Sequence, residues 1–160
     1  MRINFILNEE ELHIEVDVNS RLVDLLRTTL SLRETKQGCL SGLCGSCLVF
    51  FNGEAVKACL VPVFRLNGST VITIEYFAKQ PEYHAIIEAF SNVGGIGCDF
   101  CTPGKIVATA ALLTKDPRPS PQKILFYFEG IRCRCTEPDS LVAGVSMAAD
   151  KLQQRSYEHV

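Results

Sequence analysis

The chain has 160 residues, 47% of them apolar, with a formal net charge of −2 and a pI near 5.9, a balance without the basic footprint of a nucleic-acid binder. No run of about 18 apolar residues is present, so no membrane span is expected. The polar start Met1-Arg2-Ile3-Asn4 is unlike a secretory leader, and eight cysteines reserved for metal imply a reducing compartment, so a cytoplasmic location is expected.

In chain order, Arg2 to Leu7 and Leu12 to Val18 alternate apolar with polar residues about the acidic turn Asn8-Glu9-Glu10-Glu11, which predicts a hairpin. Asn19-Ser20 offers an N-cap for a helix with Leu22, Leu25 and Leu26 on one face. Cys47 to Phe51 reads as a strand, Asn52-Gly53 as a tight turn, and Ala55 to Cys59 as the returning strand; Val71 to Ile74 supplies another. Ala78 to Glu82, with Pro81, reads as a linker. Beyond it the period turns helical: Ile86, Ile87 and Phe90 form one stripe, Ile106, Ala110 and Leu113 a second, and Leu141, Val145, Ala148 and Leu152 a third. A short helix is expected from Gln122 to Phe128, after the helix-breaking stretch Asp116 to Pro121. The expected class is α+β. A β-grasp, plant-type ferredoxin-like domain over residues 1–77 precedes a four-helix bundle domain over 78–160.

The cysteines fall into two sets of four with none left over: Cys39-x4-Cys44-x2-Cys47-x11-Cys59 and Cys98-x2-Cys101-x31-Cys133-x-Cys135. The first spacing is that of plant-type ferredoxins, whose four thiolates hold a two-iron, two-sulfur (2Fe-2S) cluster. Disulfide pairing is the rival for all eight, though such frameworks belong mainly to short secreted domains. A tetrahedral zinc site is the rival for the second set. An oxidised cluster with four thiolates carries about two negative charges and needs donors around it. Gly38, Gly42 and Gly45 are expected to reach positive φ and turn amides toward the sulfurs. Thr102 is expected to cap a helix beginning at Pro103, with Cys101 just before its partly positive end.

These motifs together resemble one family. Lys36-Gln37-Gly38-Cys39, Gly42-Leu43-Cys44-Gly45-Ser46-Cys47, Cys59, Cys98-x-x-Cys101-Thr102-Pro103-Gly104 and Cys133-Arg134-Cys135-Thr136 are similar to the iron–sulfur subunit of molybdenum hydroxylases, the xanthine dehydrogenase, aldehyde oxidoreductase and nicotinate dehydrogenase type. The resemblance spans nearly the whole chain. It implies two 2Fe-2S clusters relaying electrons from a molybdopterin centre to FAD, both carried by partners: a molybdopterin-binding large subunit and an FAD-binding medium subunit. By position it implies that Cys39, Cys44, Cys47 and Cys59 hold the flavin-side cluster, and Cys98, Cys101, Cys133 and Cys135 the molybdenum-side cluster. The hydroxylated substrate would be an aromatic heterocycle or an aldehyde. The sequence departs from the family's pattern at Gly97, where a glutamine usually approaches the pterin, at Asp99, and at Glu137-Pro138, where Gly-Tyr is usual.

No set of residues for substrate chemistry stands out on this chain, so no catalytic residue is expected. His13, His84 and His159 are scattered and read as surface residues. Arg132 and Arg134 are candidates for tempering charge near the second set or for meeting a partner, and equally for a solvated role. A stand-alone ferredoxin-like carrier or redox sensor, without a molybdenum partner, is the alternative function.

Overall fold

The alternation over Arg2–Leu7 produces strand β1, whose Ile3, Phe5 and Leu7 are buried while their neighbours face outward. The computed structural model describes residues 1–158. Strand β2 (Glu10–Glu15) pairs antiparallel with β1, with Ile3 opposite Ile14 and Phe5 opposite Leu12. The hairpin is tighter than the acidic turn suggested. Asn8 and Glu9 both have positive φ (53° and 70°) and close it in two residues, so Glu10 and Glu11 already lie in the ladder and the strand ends at Glu15.

Next comes α1 (Leu22–Asp24), which widens into a π-helical turn over Leu25–Thr29. Asn19 and Ser20 do not cap it. The Ser20 hydroxyl donates to Asp17 O, and Leu22 N donates to Val61 O instead of to a capping side chain. Leu22, Leu25 and Leu26 are buried together, as their spacing requires. Strands β3 (Leu48–Phe51) and β4 (Glu54–Lys57) meet at Asn52-Gly53, and a 3₁₀ turn over Ala58–Leu60 takes the place expected to be strand. Strand β5 (Thr70–Ile72) ends two residues early. Ile74 instead opens α2 (Ile74–Phe77), because Thr73 is fixed by Asn8: its N–H donates to Asn8 Oδ1, and Asn8 Nδ2 donates to its hydroxyl. The mixed sheet has the order β2-β1-β5-β3-β4, with β1 and β5 parallel.

Only Ala78, Lys79 and Gln80 separate α2 from α3 (Pro81–Asn92), which starts at Pro81 where a linker was expected. Helices α4 (Thr102–Lys115), α5 (Pro121–Phe128) and α6 (Pro138–Glu158) complete the second half. Among the described residues no helix is long and apolar enough to cross a membrane.

Two cores result. Ile3, Phe5, Leu22, Leu26, Val49 and Val71 fill the first, between sheet and α1. Ile86, Phe90, Ile106, Leu112, Ile124 and Val145 fill the second, among the helices. Strand β3 serves both, because Val49 points into the first core and Leu48 into the second. That explains why α4 exceeds its expected stripe: every residue from Pro103 to Leu113 is buried, between β3 and the other helices. Truncating Ile106 or Leu112 to alanine there should cost roughly 2–5 kcal/mol.

Candidate metal centres

The first cysteine set lies on the loop between α1 and β3 and on the 3₁₀ turn after β4. Cys47 and Cys59 are buried, Cys44 is half-buried and Cys39 is exposed. Leu40, Gly42 and Gly45 have positive φ (56°, 76° and 72°), so the loop coils inward. Gly38 does not share that conformation. It is a close-approach glycine, because a Cβ there would come within 2.8 Å of both Cys44 Sγ and Ser46 Oγ.

Coiling aims amides at sulfur. The N–H groups of Ser41, Leu43 and Cys44 donate to Cys39 Sγ at 3.4, 3.2 and 3.3 Å, and Cys39 N donates to Cys44 Sγ at 3.4 Å. Two basic side chains that sequence reasoning missed hold this arrangement from outside. Arg21 Nη1 donates to Leu40 O (2.8 Å) and Lys57 Nζ to Gly42 O (2.6 Å). In a trans peptide the carbonyl and the next N–H point opposite ways, so pinning these two carbonyls outward turns Ser41 N and Leu43 N toward Cys39. No local sequence signal marks Arg21 or Lys57, since both act across the fold. The donors have an electrostatic result: Ser41's side chain, then its amide and that of Cys44, hold the Cys39 thiol down to about 5. Burial pushes Cys47 up to about 12.

The second set joins the start of α4 to the loop before α6. Cys101 and Cys133 are half-buried, Cys98 and Cys135 exposed. The Cys101 and Phe100 amides hold Cys98 down to about 7, the effect expected beside a helix start. Burial pushes Cys101 up to about 12. Cys133 is also pushed up by burial, but the hydrogen bond from the Cys135 backbone, the side-chain bond it shares with Thr136 and the Lys105 charge leave it lowered. Cys135 is raised by its hydrogen bond with Cys98. Thr102 is not the cap: Cys101 takes that position, and the Thr102 hydroxyl bonds back to Ile96 O and Cys98 O at 2.7 Å. Gly97 has φ 70°, and a Cβ there would meet Cys135 Cβ at 2.9 Å, so a side chain at this position is excluded on two counts. Asp99 is exposed and borders a cleft with Glu34, Lys36 and Glu75. Pro138 is the first residue of α6, and Glu137 immediately precedes it. Arg132 and Arg134 have exposed side chains; His13 and His84 are exposed, and His159 lies outside the described residues.

Within each set the thiols interact with one another: Cys39 with Cys44 and Cys47 with Cys59 in the first, and Cys98 with Cys135 and Cys101, and Cys101 with Cys133, in the second. Among the described residues no group of three or more His, Cys, Asp and Glu side chains is placed to hold one metal ion. Each set gathers four free thiols, the donor number of a 2Fe-2S cluster, so the residues present fit two such groups. All eight cysteines are free thiols rather than disulfides.

The two sets meet across a seam. Arg132 N donates to Cys44 O at 3.0 Å, which ties the residue before Cys133 to a cysteine of the first set. Gly104 lies so near Gly45 that a Cβ on it would collide with the Gly45 carbonyl oxygen.

Comparison with known proteins agrees with this geometry. The 2Fe-2S iron-sulfur cluster binding domain family matches residues 5–65, and the [2Fe-2S] binding domain family matches residues 73–146. The chain is 38% identical to the nicotinate dehydrogenase small FeS subunit of Eubacterium barkeri, across 93% of this chain and 95% of that one. It is 36% identical to the aldehyde oxidoreductase of Megalodesulfovibrio gigas, across 89% of this chain but only 16% of that longer protein. The crystal structure of quinoline 2-oxidoreductase from Pseudomonas putida 86 superposes with a TM-score of 0.87 at 27% identity, covering 96% of each chain.

Proposed function

This chain belongs to the family of iron–sulfur small subunits of the molybdenum hydroxylases, and we propose that it relays electrons within such an oxidoreductase complex, from a molybdopterin-binding large subunit to an FAD-binding medium subunit. The observation that carries this reading is the gathering of the eight free thiols into two complete sets of four that meet at the Cys44–Arg132 backbone contact. The two clusters, when bound, supply one-electron carriers, and the protein sets their position and potential. Cys39, Cys44, Cys47 and Cys59 are assigned to the flavin-side cluster. Cys98, Cys101, Cys133 and Cys135 are assigned to the molybdenum-side cluster. Residues 1–77 are assigned to the ferredoxin-like domain and 78–160 to the helical domain, a division supported by the two cores, which share strand β3. The complex is placed in the cytoplasm, and its substrate class is an aromatic heterocycle or an aldehyde, hydroxylated on the partner.

The chain's own residues have defined parts in this relay. Arg21 and Lys57 hold the first loop in its amide-inward form. The start of α4 presents amides to Cys98. The Arg132–Cys44 hydrogen bond offers a short bonded route between the sets, from the Cys133 backbone to that of Cys44.

Anaerobic purification tests the reading. About four irons and four labile sulfides per chain, with co-purification of a flavoprotein and a molybdenum protein, are expected. Two irons with stoichiometric zinc would overturn the two-cluster assignment, and a fully loaded chain that captures neither partner would overturn the subunit role.

A further inference from the structure

The second half contains a buried cation that the relay described above does not use. Lys105, on the first turn of α4, is 2% exposed, and its ammonium lies 5.7 Å from the centre of the Phe90 ring. Nζ donates to Gly95 O at 2.7 Å, Ile96 O at 2.9 Å and Thr136 Oγ1 at 2.5 Å. Three acceptors match the three N–H donors of an ammonium, whereas a neutral amine has two. Thr136 keeps its own proton for Gly95 O, at 3.0 Å, so each donor in the network is used. Among the described residues no carboxylate forms an ion pair with Lys105; burial holds it below the ordinary lysine range, and the cysteines of the second set, Cys133 first, oppose that lowering. A cation buried without a carboxylate is costly unless a negative group lies nearby. Here the negative group is the set of thiolates.

The same three bonds give Lys105 a geometric task. Gly95 and Ile96 precede Cys98, and Thr136 follows Cys135, so one ammonium joins the two segments that carry the second set. In the sequence it stands at the head of the apolar run Ile106-Val107-Ala108, where a helix of this kind would otherwise be apolar.

We propose that Lys105 is a potential-setting and positioning residue for the second cluster: a buried ammonium, held by three acceptors, whose positive charge favours the cluster's reduced form and, in doing so, favours acceptance of an electron from the molybdenum side. The proposal rests on the electron-relay reading given above. The step it governs is the gain of one electron by the cluster from the partner's molybdenum centre. No bond forms or breaks, and Lys105 neither gives nor takes a proton.

The test uses the anaerobic, cluster-loaded full chain with Lys105→Met, Lys105→Gln and Lys105→Arg, titrated potentiometrically with paramagnetic resonance to resolve the two clusters. Removing the charge should shift the second cluster toward its oxidised form at least roughly tenfold, about 59 mV for one electron, and leave the first cluster unmoved. Lys105→Arg, which keeps the charge, should stay near the parent potential. Equal shifts in all three variants, no shift in the neutral ones, or equal movement of both clusters would overturn it. If the neutral variants load only one cluster, the proposal stands only when Lys105→Arg loads two at the parent potentials, and is overturned otherwise. Iron content of the parent chain separates the two readings: a parent without two clusters fails the relay reading, whereas two clusters with unmoved potentials fail only the role of Lys105.

Discussion

Around Cys39 the groups that compensate negative charge are main-chain amides, three of them on one sulfur, held in place by Arg21 and Lys57 gripping the outward carbonyls. Around the second set, amides of a helix start act on Cys98, a hydroxyl acts on Cys133, and a side-chain ammonium is sealed beneath. The first arrangement is a loop shaped around its ligand and open at Cys39. The second is a joint between two segments, locked by one residue from the helix core. One chain thus handles the same chemical problem with distributed dipoles at one site and a localised charge at the other. The difference teaches that the first site should tolerate side-chain change in its surroundings better than the second, because peptide dipoles survive most substitutions.

The most severe way to break the comparison is to remove a ligand from one side. Cys44→Ser should eliminate one paramagnetic signal, reduce iron from about four to about two per chain and loosen the sheet half, while the second signal and the helical signature persist. Loss of both signals would mean the two regions do not assemble separately.

A smaller effect is expected at the seam. Gly104→Ala drives a methyl group against the Gly45 carbonyl, and overpacking of this kind costs roughly 1–3 kcal/mol. Chemical denaturation should show that loss together with broadened signals from both clusters. An unchanged midpoint would mean the seam yields easily.

The pH behaviour of the metal-free chain sharpens the contrast without any mutation. With Cys39 held down to about 5 and Cys98 to about 7, lowering the pH from 8 to 6 should leave alkylation of Cys39 nearly unchanged and slow that of Cys98 about tenfold. Cys47 and Cys101, pushed up to about 12 by burial, should stay protonated and unreactive across this range. Site-resolved mass spectrometry reads all four rates, and equal slowing at Cys39 and Cys98 would contradict the stronger amide donation at the first site.

The smallest expected change concerns Asp99. Its carboxylate follows Cys98 but is exposed, so Asp99→Asn should raise the second cluster's potential by no more than about a few tens of millivolts after solvent screening. Potentiometry that finds the first cluster moving equally would reject a local effect.

β1, the Asn52-Gly53 turn and the leucines of α1 were legible in the sequence because each depends on spacing within a few residues. Where contacts come from afar, local reading failed. The N-cap expected at Asn19-Ser20 was replaced by a bond to Val61, and β5 stopped early because Asn8 holds Thr73. Gly38 was expected to supply a positive φ that Leu40 supplies instead, since the crowding by Cys44 and Ser46 that requires a glycine at position 38 is invisible along the chain. Lys105 had a visible mark, a lone charge leading an apolar run, but its acceptors come from two loops about forty residues apart in sequence.

The contact of Gly45 with Gly104, together with the Arg132 to Cys44 hydrogen bond, is made almost wholly of main-chain atoms. Tunnelling between redox centres falls steeply with their separation, and a separation written in peptide backbone does not drift as surface side chains are exchanged. Mutation can therefore retune the driving force at the second centre, through groups such as Lys105 or Asp99, while the hop length stays fixed. That insulation allows the same unit to occur as a separate subunit or as one-sixth of a longer polypeptide without re-engineering its internal transfer step.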